Sequence, residues 1–295
     1  MVRVSKKRLV ENREPLLKWP GGKRRLVENI LVHIPGRFRR YYEPFVGGGA
    51  MFFALDPNRA TLSDTNAQLI NCYRTVRDEP DRLMKTLANL RNTADHYYEV
   101  RDWSPSGAVE QAARLLYLTR LSFNGIHRVN RAGEFNVPYG GRSHLNVFNE
   151  GALLQCSAAL QRARLTVSDF QAATSDASEG DLVYLDPPYT VAHAMNGFIR
   201  YNEKIFSWSD QIRLASVARE LSERGCTVIV SNADHPSVRE LYPSIEPETL
   251  RRYSLIAAST KHRREITESL YVLAPKARNR TMTNVCPKPA TRGRM

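Results

Sequence analysis

The tetrapeptide Asp186-Pro187-Pro188-Tyr189 brings together a carboxylate, two rigid residues and an aromatic ring. It follows the apolar run Leu182 to Leu185, which is typical of a strand buried in a parallel sheet. The two prolines keep the chain from continuing as a ladder strand or from turning at once into a helix. Because open α/β sheets bind ligands at the carboxyl ends of their strands, the pattern indicates a site for chemistry. A strand-end turn with an ordinary Asp is the alternative.

A glycine turn follows the first predicted strand, Tyr41 to Val46, and precedes a helix that begins near Ala50. This turn, Gly47-Gly48-Gly49, lets a ligand approach the backbone at a helix N-terminus. It is not a dinucleotide-binding fingerprint, because the last glycine position of that pattern falls on Phe52. An NAD-dependent enzyme is therefore disfavoured.

An acidic residue, Asp64, ends the second predicted strand, Ala60 to Ser63. A carboxylate placed roughly 20 residues after a glycine turn can accept hydrogen bonds from ribose hydroxyls. Capping of the helix predicted from Asn66 to Val76 is the alternative, and one carboxylate can serve in both ways. Upstream, Gly21-Gly22-Lys23 lacks the GxxxxGK[ST] spacing of a phosphate loop, which argues against a nucleoside triphosphatase.

The chain of 295 residues has a formal net charge of +13, with lysines and arginines crowded at both ends. Such an excess suits a polyanion such as nucleic acid; a solvated basic surface with disordered tails is the alternative. No apolar run could span a membrane and no signal core is present, so we expect a cytoplasmic protein without a membrane partner. The spacing of the cysteines and histidines favours free thiols and indicates no metal site.

Strands alternate with helices over most of the chain, which predicts an α/β fold with a doubly wound sheet. The later predicted strands cover residues 164–167, 182–185, 227–231, 254–256 and 266–273. Residues 66–120 show only helical patterns, near 66–76, 80–92 and 107–121, so we interpret this block as an insertion. Alternation around Asn130 to Gly133 predicts a β-hairpin, whose polar, basic and aromatic side chains suit a protruding element that reads a DNA groove.

Together these motifs resemble the Dam-type DNA adenine N6-methyltransferases, the S-adenosylmethionine-dependent D12 class with the motif DPPY. The resemblance runs from about Leu16 to Leu273. Besides Asp186 to Tyr189, its motifs are Leu17-Lys18-Trp19-Pro20-Gly21-Gly22-Lys23, Glu43 to Gly49, Asn124-Gly125 with Arg128, and Gly133 to Pro138. It implies a Rossmann-like methyltransferase sheet with an inserted helical target-recognition subdomain that carries a β-hairpin.

The chain divides into four parts, of which the resemblance implies the two domains and the charge pattern predicts the two ends. Residues 15–65 and 145–274 form the catalytic methyltransferase domain, and residues 66–144 form the inserted DNA target-recognition domain. Residues 1–14 are a basic flexible arm, and residues 275–295 are a disordered basic tail.

The resemblance also implies which residues bind S-adenosylmethionine. Lys23 suits the cofactor carboxylate, the turn from Phe45 to Gly49 packs against the methionine part, and Asp64 holds the ribose hydroxyls. Asp169 and Phe170 take the adenine ring. The full implied set is Trp19, Lys23, Phe45, Gly47, Gly49, Asp64, Asp169, Phe170 and Asp186. For Trp19, a hydrophobic plug is the alternative.

The implied reaction explains the tetrapeptide. Hydrogen bonds from the exocyclic amine of adenine to the Asp186 carboxylate and the Pro187 carbonyl would make its nitrogen more nucleophilic, and Pro188 stiffens the turn. Tyr189 would stack on the base, which has to flip out of the duplex. Residues 190–207 would form a mobile loop that closes over it. Cytosine-N4 methylation and a non-catalytic DNA-binding role remain alternatives.

Double-stranded DNA is the implied partner, and the residues matching the family's GATC contacts are Lys18, Phe123, Asn124, Ile126, Arg128, Pro138 and Arg142. Arg128 is the strongest of these for a bidentate guanine contact, worth about 1–3 kcal/mol of discrimination. Gly140-Gly141 adds a residue that displaces Arg142, and Ser143 stands where the family often has a tyrosine. GATC is the expected recognition sequence, and adenine methylation at another sequence is the alternative.

Overall fold

The computed structural model describes residues 2–3, 15–130, 132–191, 206–253 and 265–275. Nine strands lie within these residues. They are β1 Val2–Arg3, β2 Arg37–Phe38, β3 Tyr41–Glu43, β4 Ala60–Asp64, β5 Ala163–Val167, β6 Leu182–Leu185, β7 Thr227–Ala233, β8 Glu248–Tyr253 and β9 Glu265–Leu273.

Seven of these strands form one sheet in the order β5-β4-β3-β6-β7-β9-β8. Strands β3 to β7 are parallel, whereas β9 runs antiparallel to both β7 and β8. From β3 the chain progresses outwards through β4 to β5, and from β6 it progresses in the opposite direction to β7. The switch point of the sheet therefore lies between β3 and β6, where ligands bind in open α/β folds.

Helices cover the sheet and extend from it. They are α1 Val27–Leu31, α2 Ala50–Leu55, α3 Ala67–Asp78, α4 Pro80–Ala88, α5 Ala94–Asp102, α6 Ala108–Leu121, α7 Glu150–Leu160, α8 Phe170–Ala173, α9 Trp208–Glu223 and α10 Pro236–Arg239. Among these described helices, none is long and apolar enough to cross a membrane.

The two central strands show why a continuous apolar run forms a strand here. Their side chains alternate between two cores, as the pleat of a strand requires. Tyr41 and Tyr184 belong to the core on one face of the sheet, and Tyr42 and Val183 belong to the core on the other. Both faces are covered, so no polar alternation is needed.

The helices between β4 and β5 share the larger of these cores. Leu69 of α3, Leu83 of α4 and Val109 of α6 are buried in the same cluster as Leu62 of β4. A smaller, separate cluster joins α5 and the end of α6 to the segment that follows; its members are Tyr97, Val100, Tyr117, Leu118, Leu121, Phe135 and Val137. The inserted domain and its boundaries stay a prediction.

The mixed α/β architecture and the buried strand at residues 182–185 are confirmed. Helix α5 and strand β8 were not predicted. In the described residues, the predicted hairpin does not form a continuous ladder. Two isolated bridges, Ser122 with Tyr139 and Val129 with Phe135, join its two sides.

Some predicted segments lie largely outside the described residues. These are the strand at 254–256, the loop at 190–207 and the tail from residue 275. Of the predicted arm, Val2–Arg3 pairs with Arg37–Phe38.

Candidate active site

A buried ion-pair cluster surrounds the tetrapeptide at the end of β6. Lys23 Nζ lies 2.9 Å from Asp186 Oδ1 and 3.2 Å from Glu268 Oε2. The side chains of Lys23 and Glu268 are only 4% and 1% exposed, whereas Asp186 is 17% exposed. Lys23 also donates to the carbonyl oxygen of Gly21 at 3.2 Å. Buried charges require partners, and here one ammonium serves two carboxylates.

The Tyr189 hydroxyl is part of the same cluster. It donates to Glu268 Oε2 at 2.7 Å and shares a 3.0 Å hydrogen bond with Ser231 Oγ. The centroid of its ring lies 4.4 Å from Lys23 Nζ, a cation–π contact. Burial raises the pKa of the Tyr189 hydroxyl well above its ordinary value, and the Asp186 and Glu268 charges add to this. The ring is therefore neutral and fixed at its polar end.

Side chains of α9 and β7 hold the proline turn in place. Gln211 of α9 donates to the carbonyl oxygen of Pro188 at 3.2 Å. The amide of Gln211 accepts in turn from Asn232 of β7 at 2.8 Å, and both side chains are fully buried. Thr190 Oγ1 donates to the carbonyl oxygen of Phe206 at 2.6 Å. These bonds leave the turn little freedom to move.

The glycine turn between β3 and α2 adopts a backbone that favours glycine. Gly47 and Gly49 have φ values of 46° and 69°. The Gly47 N–H donates to Asp64 Oδ2 at 3.2 Å, and the Tyr73 hydroxyl donates to the Gly47 carbonyl oxygen at 2.7 Å. The turn is thus tied to the end of β4 and to α3.

Asp64 links the ends of the first two parallel strands. Besides the Gly47 N–H, it accepts the Asn66 N–H at 3.0 Å, while Asn66 itself caps α3 by accepting from Leu69. The helix cap is therefore Asn66 and not Asp64. Burial raises the pKa of the Asp64 carboxyl, and the backbone hydrogen bonds oppose that shift.

Trp19 joins the glycine turn to the segment that follows α6, residues 122–142, in which most of the DNA contacts are predicted and which we call the recognition segment. A Cβ at Gly47 would lie 3.0 Å from Trp19 Cδ1, so the indole is in contact with the turn. The indole also stacks on the His127 ring, with centroids 4.4 Å apart and an interplanar angle of 22°. Burial, together with the charge of Arg114, lowers the pKa of His127 to about 4, so its ring is neutral at pH 7.

Phe45 lies in a small aromatic group at the other side of the turn. Its ring centroid is 5.5 Å from those of Phe170 and Phe206. Asp169 caps α8 and forms a bidentate pair with Arg213, both distances being 2.8 Å. This pairing lowers the pKa of the Asp169 carboxyl. The resemblance implies that Asp169 and Phe170 contact the adenine ring, and that role stays a prediction.

The residues predicted to contact DNA lie on one segment after α6 and on the loop before α1. Phe123 is 44% exposed, and Asn124 has a positive φ of 56°. Lys18 is exposed, and its alkyl chain lies against Gly125.

The two predicted arginines of this segment differ in their surroundings. Exposed Arg128 donates to Asn136 Oδ1 at 2.8 Å. Arg142 instead donates to the carbonyl oxygens of Arg120 and Ser122, at 3.1 and 3.2 Å, and so anchors the base of the segment. Ile126 is partly buried, and Pro138 accepts the Phe123 N–H at 2.9 Å.

Sequence reasoning missed two buried acids of this region. Glu268 is a fully buried carboxylate within strand β9, and an acidic residue inside a predicted strand was the available signal. Glu43, at the end of β3, accepts from the Tyr41 hydroxyl at 2.8 Å. Burial raises the pKa of Glu43 to about 8. Among the described residues, no group of three or more His, Cys, Asp or Glu side chains is placed to hold a metal ion.

Comparison with known proteins gives consistent matches over most of the chain. A family model of the D12 class N6 adenine-specific DNA methyltransferases matches residues 19–258. The chain is 36% identical over 267 residues to the type II methyltransferase M1.LlaDCHI of Lactococcus lactis subsp. cremoris, covering 87% of this chain and 94% of that protein. It is 32% identical over 265 residues to the DNA adenine methylase of Escherichia coli strain K12, covering 88% and 95%.

A third relative is archaeal. The chain is 34% identical over 243 residues to the type II methyltransferase M.MjaIII of Methanocaldococcus jannaschii, covering 75% of this chain and 84% of that protein.

Proposed function

This chain belongs to the D12 class of N6 adenine-specific DNA methyltransferases, and from that premise we propose that it methylates N6 of a flipped-out adenine in double-stranded DNA, with S-adenosylmethionine as methyl donor and GATC as target. The observation that carries the proposal is the arrangement at the switch point. The glycine turn with Asp64 and the tetrapeptide with Asp186 follow two adjacent parallel strands, so a cofactor and a base can meet between them.

The residues present fit the proposed cofactor. Asp64 offers carboxylate oxygens beside a turn whose positive φ values leave the backbone approachable, which suits a ribose diol. Partly exposed Phe45, which stacks on buried Phe170, supplies aromatic surface, and Asp186 supplies negative charge suited to a sulfonium. When bound, S-adenosylmethionine supplies an electrophilic methyl group. Trp19 would flank it on the side of the recognition segment.

In this proposal the chain's own residues activate the target amine. Asp186 and the Pro187 carbonyl accept its two N–H bonds, which reduces delocalisation of the nitrogen lone pair into the ring. The amine would take the methyl group that bound S-adenosylmethionine would supply, and the electron pair of the broken carbon–sulfur bond would stay on sulfur. The surplus proton of the amine passes to solvent. Positioning supplies most of the acceleration, which suits a turn as firmly held as this one.

The place of the acceptors supports base flipping. They lie at the end of a buried strand, and an amine that stays stacked in a duplex would not reach them. Flipping costs a few kcal/mol of unstacking. The exposed ring of Phe123 and the neighbouring Asn124 project from the recognition segment and are suited to fill the space that the base vacates.

The GATC assignment depends on the recognition segment. Arg128 is exposed and pre-oriented by Asn136, as a bidentate guanine contact requires. Lys18 lies beside Gly125 and can reach the same groove from the loop that carries Trp19.

Base-resolution mapping tests both parts of the proposal. The full chain is expressed in a host that lacks adenine methylation, and its DNA is mapped for N6-methyladenine and N4-methylcytosine. We expect N6-methyladenine at GATC. Modification confined to other sequences would contradict the target, and N4-methylcytosine alone, or no modification, would contradict the chemistry.

A further inference from the structure

Glu268 lies in the site although its strand, β9, is separated from β6 by strand β7. It is on β9, where it pairs in register with Ala233 of β7, and it is fully buried. Its carboxylate accepts the Tyr189 hydroxyl at 2.7 Å and forms an ion pair with Lys23 Nζ at 3.2 Å. It therefore contacts the two side chains that flank Asp186.

The charges of the cluster give Glu268 a specific task. Lys23 carries one positive charge and lies between the negative charges of Asp186 and Glu268. An ammonium held between two carboxylates is attracted to both. If Glu268 were neutral, Asp186 would attract Lys23 more strongly. The Asp186 oxygens would then be poorer acceptors for a second donor.

The same carboxylate fixes Tyr189. The hydroxyl is held by Glu268 and Ser231 at one end, while Lys23 lies over the face of the ring. A ring clamped at its polar end has little freedom to rotate. Glu268 contacts both the Tyr189 hydroxyl and the Lys23 ammonium. Removing its carboxylate would therefore free the ring and the ammonium to shift.

We infer that Glu268 is a positioning residue for methyl transfer: it holds Lys23 and the Tyr189 ring so that Asp186 stays available to the target amine. This inference rests on the proposed function. Glu268 does not touch the base or the methyl group in this account, and it acts through Lys23 and Tyr189.

The test compares purified full-length wild type with E268Q and E268D. Gln keeps the size and an acceptor oxygen but removes the charge, whereas Asp keeps the charge and moves it away by one methylene. For each protein we would measure kcat, KM for a GATC duplex, the dissociation constant of S-adenosylmethionine and the thermal midpoint. We expect kcat of E268Q to fall on the order of 10- to 100-fold, the loss of one charge-assisted contact, with KM and the dissociation constant changed less than about threefold. E268D should lie between E268Q and wild type.

Asp181 provides a matched control for removing a buried, ion-paired carboxylate. It directly precedes β6, at the opposite end of that strand from Asp186, and pairs with Arg40 at 2.7 Å. D181N should lower the thermal midpoint and leave kcat of the folded enzyme unchanged.

The outcomes separate the two claims. Wild-type kcat in either Glu268 variant would overturn the inference, as would a fall in kcat that D181N reproduces. A wild-type enzyme that transfers no methyl group to adenine would instead refute the proposed function. If E268Q does not fold, E268D still tests the inference, because it moves the carboxylate away from Lys23 and Tyr189 while it retains the buried charge.

Discussion

The indole of Trp19 stacks on the imidazole of His127, with ring centroids 4.4 Å apart. Trp19 precedes Lys23 in the loop against the glycine turn, and His127 precedes Arg128 in the recognition segment. The contact therefore joins the part of the chain proposed to bind cofactor to the part proposed to read DNA. A neutral histidine suits it, since a charged ring at a partly buried position would need a partner.

Replacing His127 should change how stability depends on pH. The pKa of His127 is about 4 in the fold against an ordinary value of 6.5, so the unfolded chain binds its proton first. The free energy of unfolding should then fall as pH drops from 6.5 to 4, by about 1 kcal/mol per pH unit from this residue. H127F keeps an aromatic ring without titration. In urea unfolding across this range, H127F should gain stability relative to wild type as pH falls. A difference in the free energy of unfolding that stays constant with pH would contradict the lowered pKa of His127.

The contribution of Glu43 to stability should change with pH in the opposite direction. Its pKa is about 8 in the fold against an ordinary 4.5, so the folded protein keeps a proton that the unfolded chain releases. Stability from this group is present below pH 4.5 and is lost as pH rises to 8, by at most about 1.4 kcal/mol per pH unit. E43Q imitates the neutral acid.

Relative to wild type, E43Q should therefore gain stability as pH rises from 4.5 to 8 in urea unfolding. Glu240 is exposed at the end of α10, and E240Q controls for the loss of one acidic charge. Parallel curves for E43Q and wild type would show that Glu43 is ionised in the fold.

Gly47 should be intolerant of a side chain for two reasons. Its φ of 46° costs about 1 kcal/mol for an L-residue, and a Cβ would press on the Trp19 ring at 3.0 Å. G47A should therefore weaken S-adenosylmethionine binding by about tenfold, which corresponds to about 1.4 kcal/mol.

Gly133 provides the control for Gly47. It has a φ of 82°, but a Cβ there would meet no atom within 4 Å. Calorimetric titration should show wild-type cofactor affinity for G133A. Equal losses in the two variants would mean that backbone strain, and not the contact with Trp19, sets the affinity.

The parts of the site that depend on local chemistry could be predicted from the sequence. The prolines after β6 and the glycines after β3 specify turns, and parallel strands place those turns at one edge of the sheet. Asp64 was found in the same way, since it ends the neighbouring strand.

The long-range contacts could not be predicted in this way. Glu268 reaches Tyr189 only because β9 inserts antiparallel between β7 and β8, in a register that no local pattern specifies. Similarly, nothing in the residues around Trp19 or His127 indicates that their rings stack.

Helix α5 was not predicted because its composition gives only a weak helical pattern. It contains His96, Tyr97 and Tyr98, which are moderate helix formers, and only Tyr97 and Val100 are buried. Its apolar face is too short to produce a clear period. Packing of Tyr97 against Tyr117 of α6 and a cap from Thr93 stabilise it instead.

Asp186 is proposed to accept the target amine, and the Asp186→Ala variant removes that acceptor. The variant should fold, because Lys23 keeps Glu268 as a partner. The measurement is single-turnover transfer of a labelled methyl group to a GATC duplex, with duplex affinity measured on the same protein. Transfer should fall by at least about 100-fold while affinity for the duplex changes little. Transfer at the wild-type rate by a folded Asp186→Ala protein would show that Asp186 is not the acceptor of the target amine.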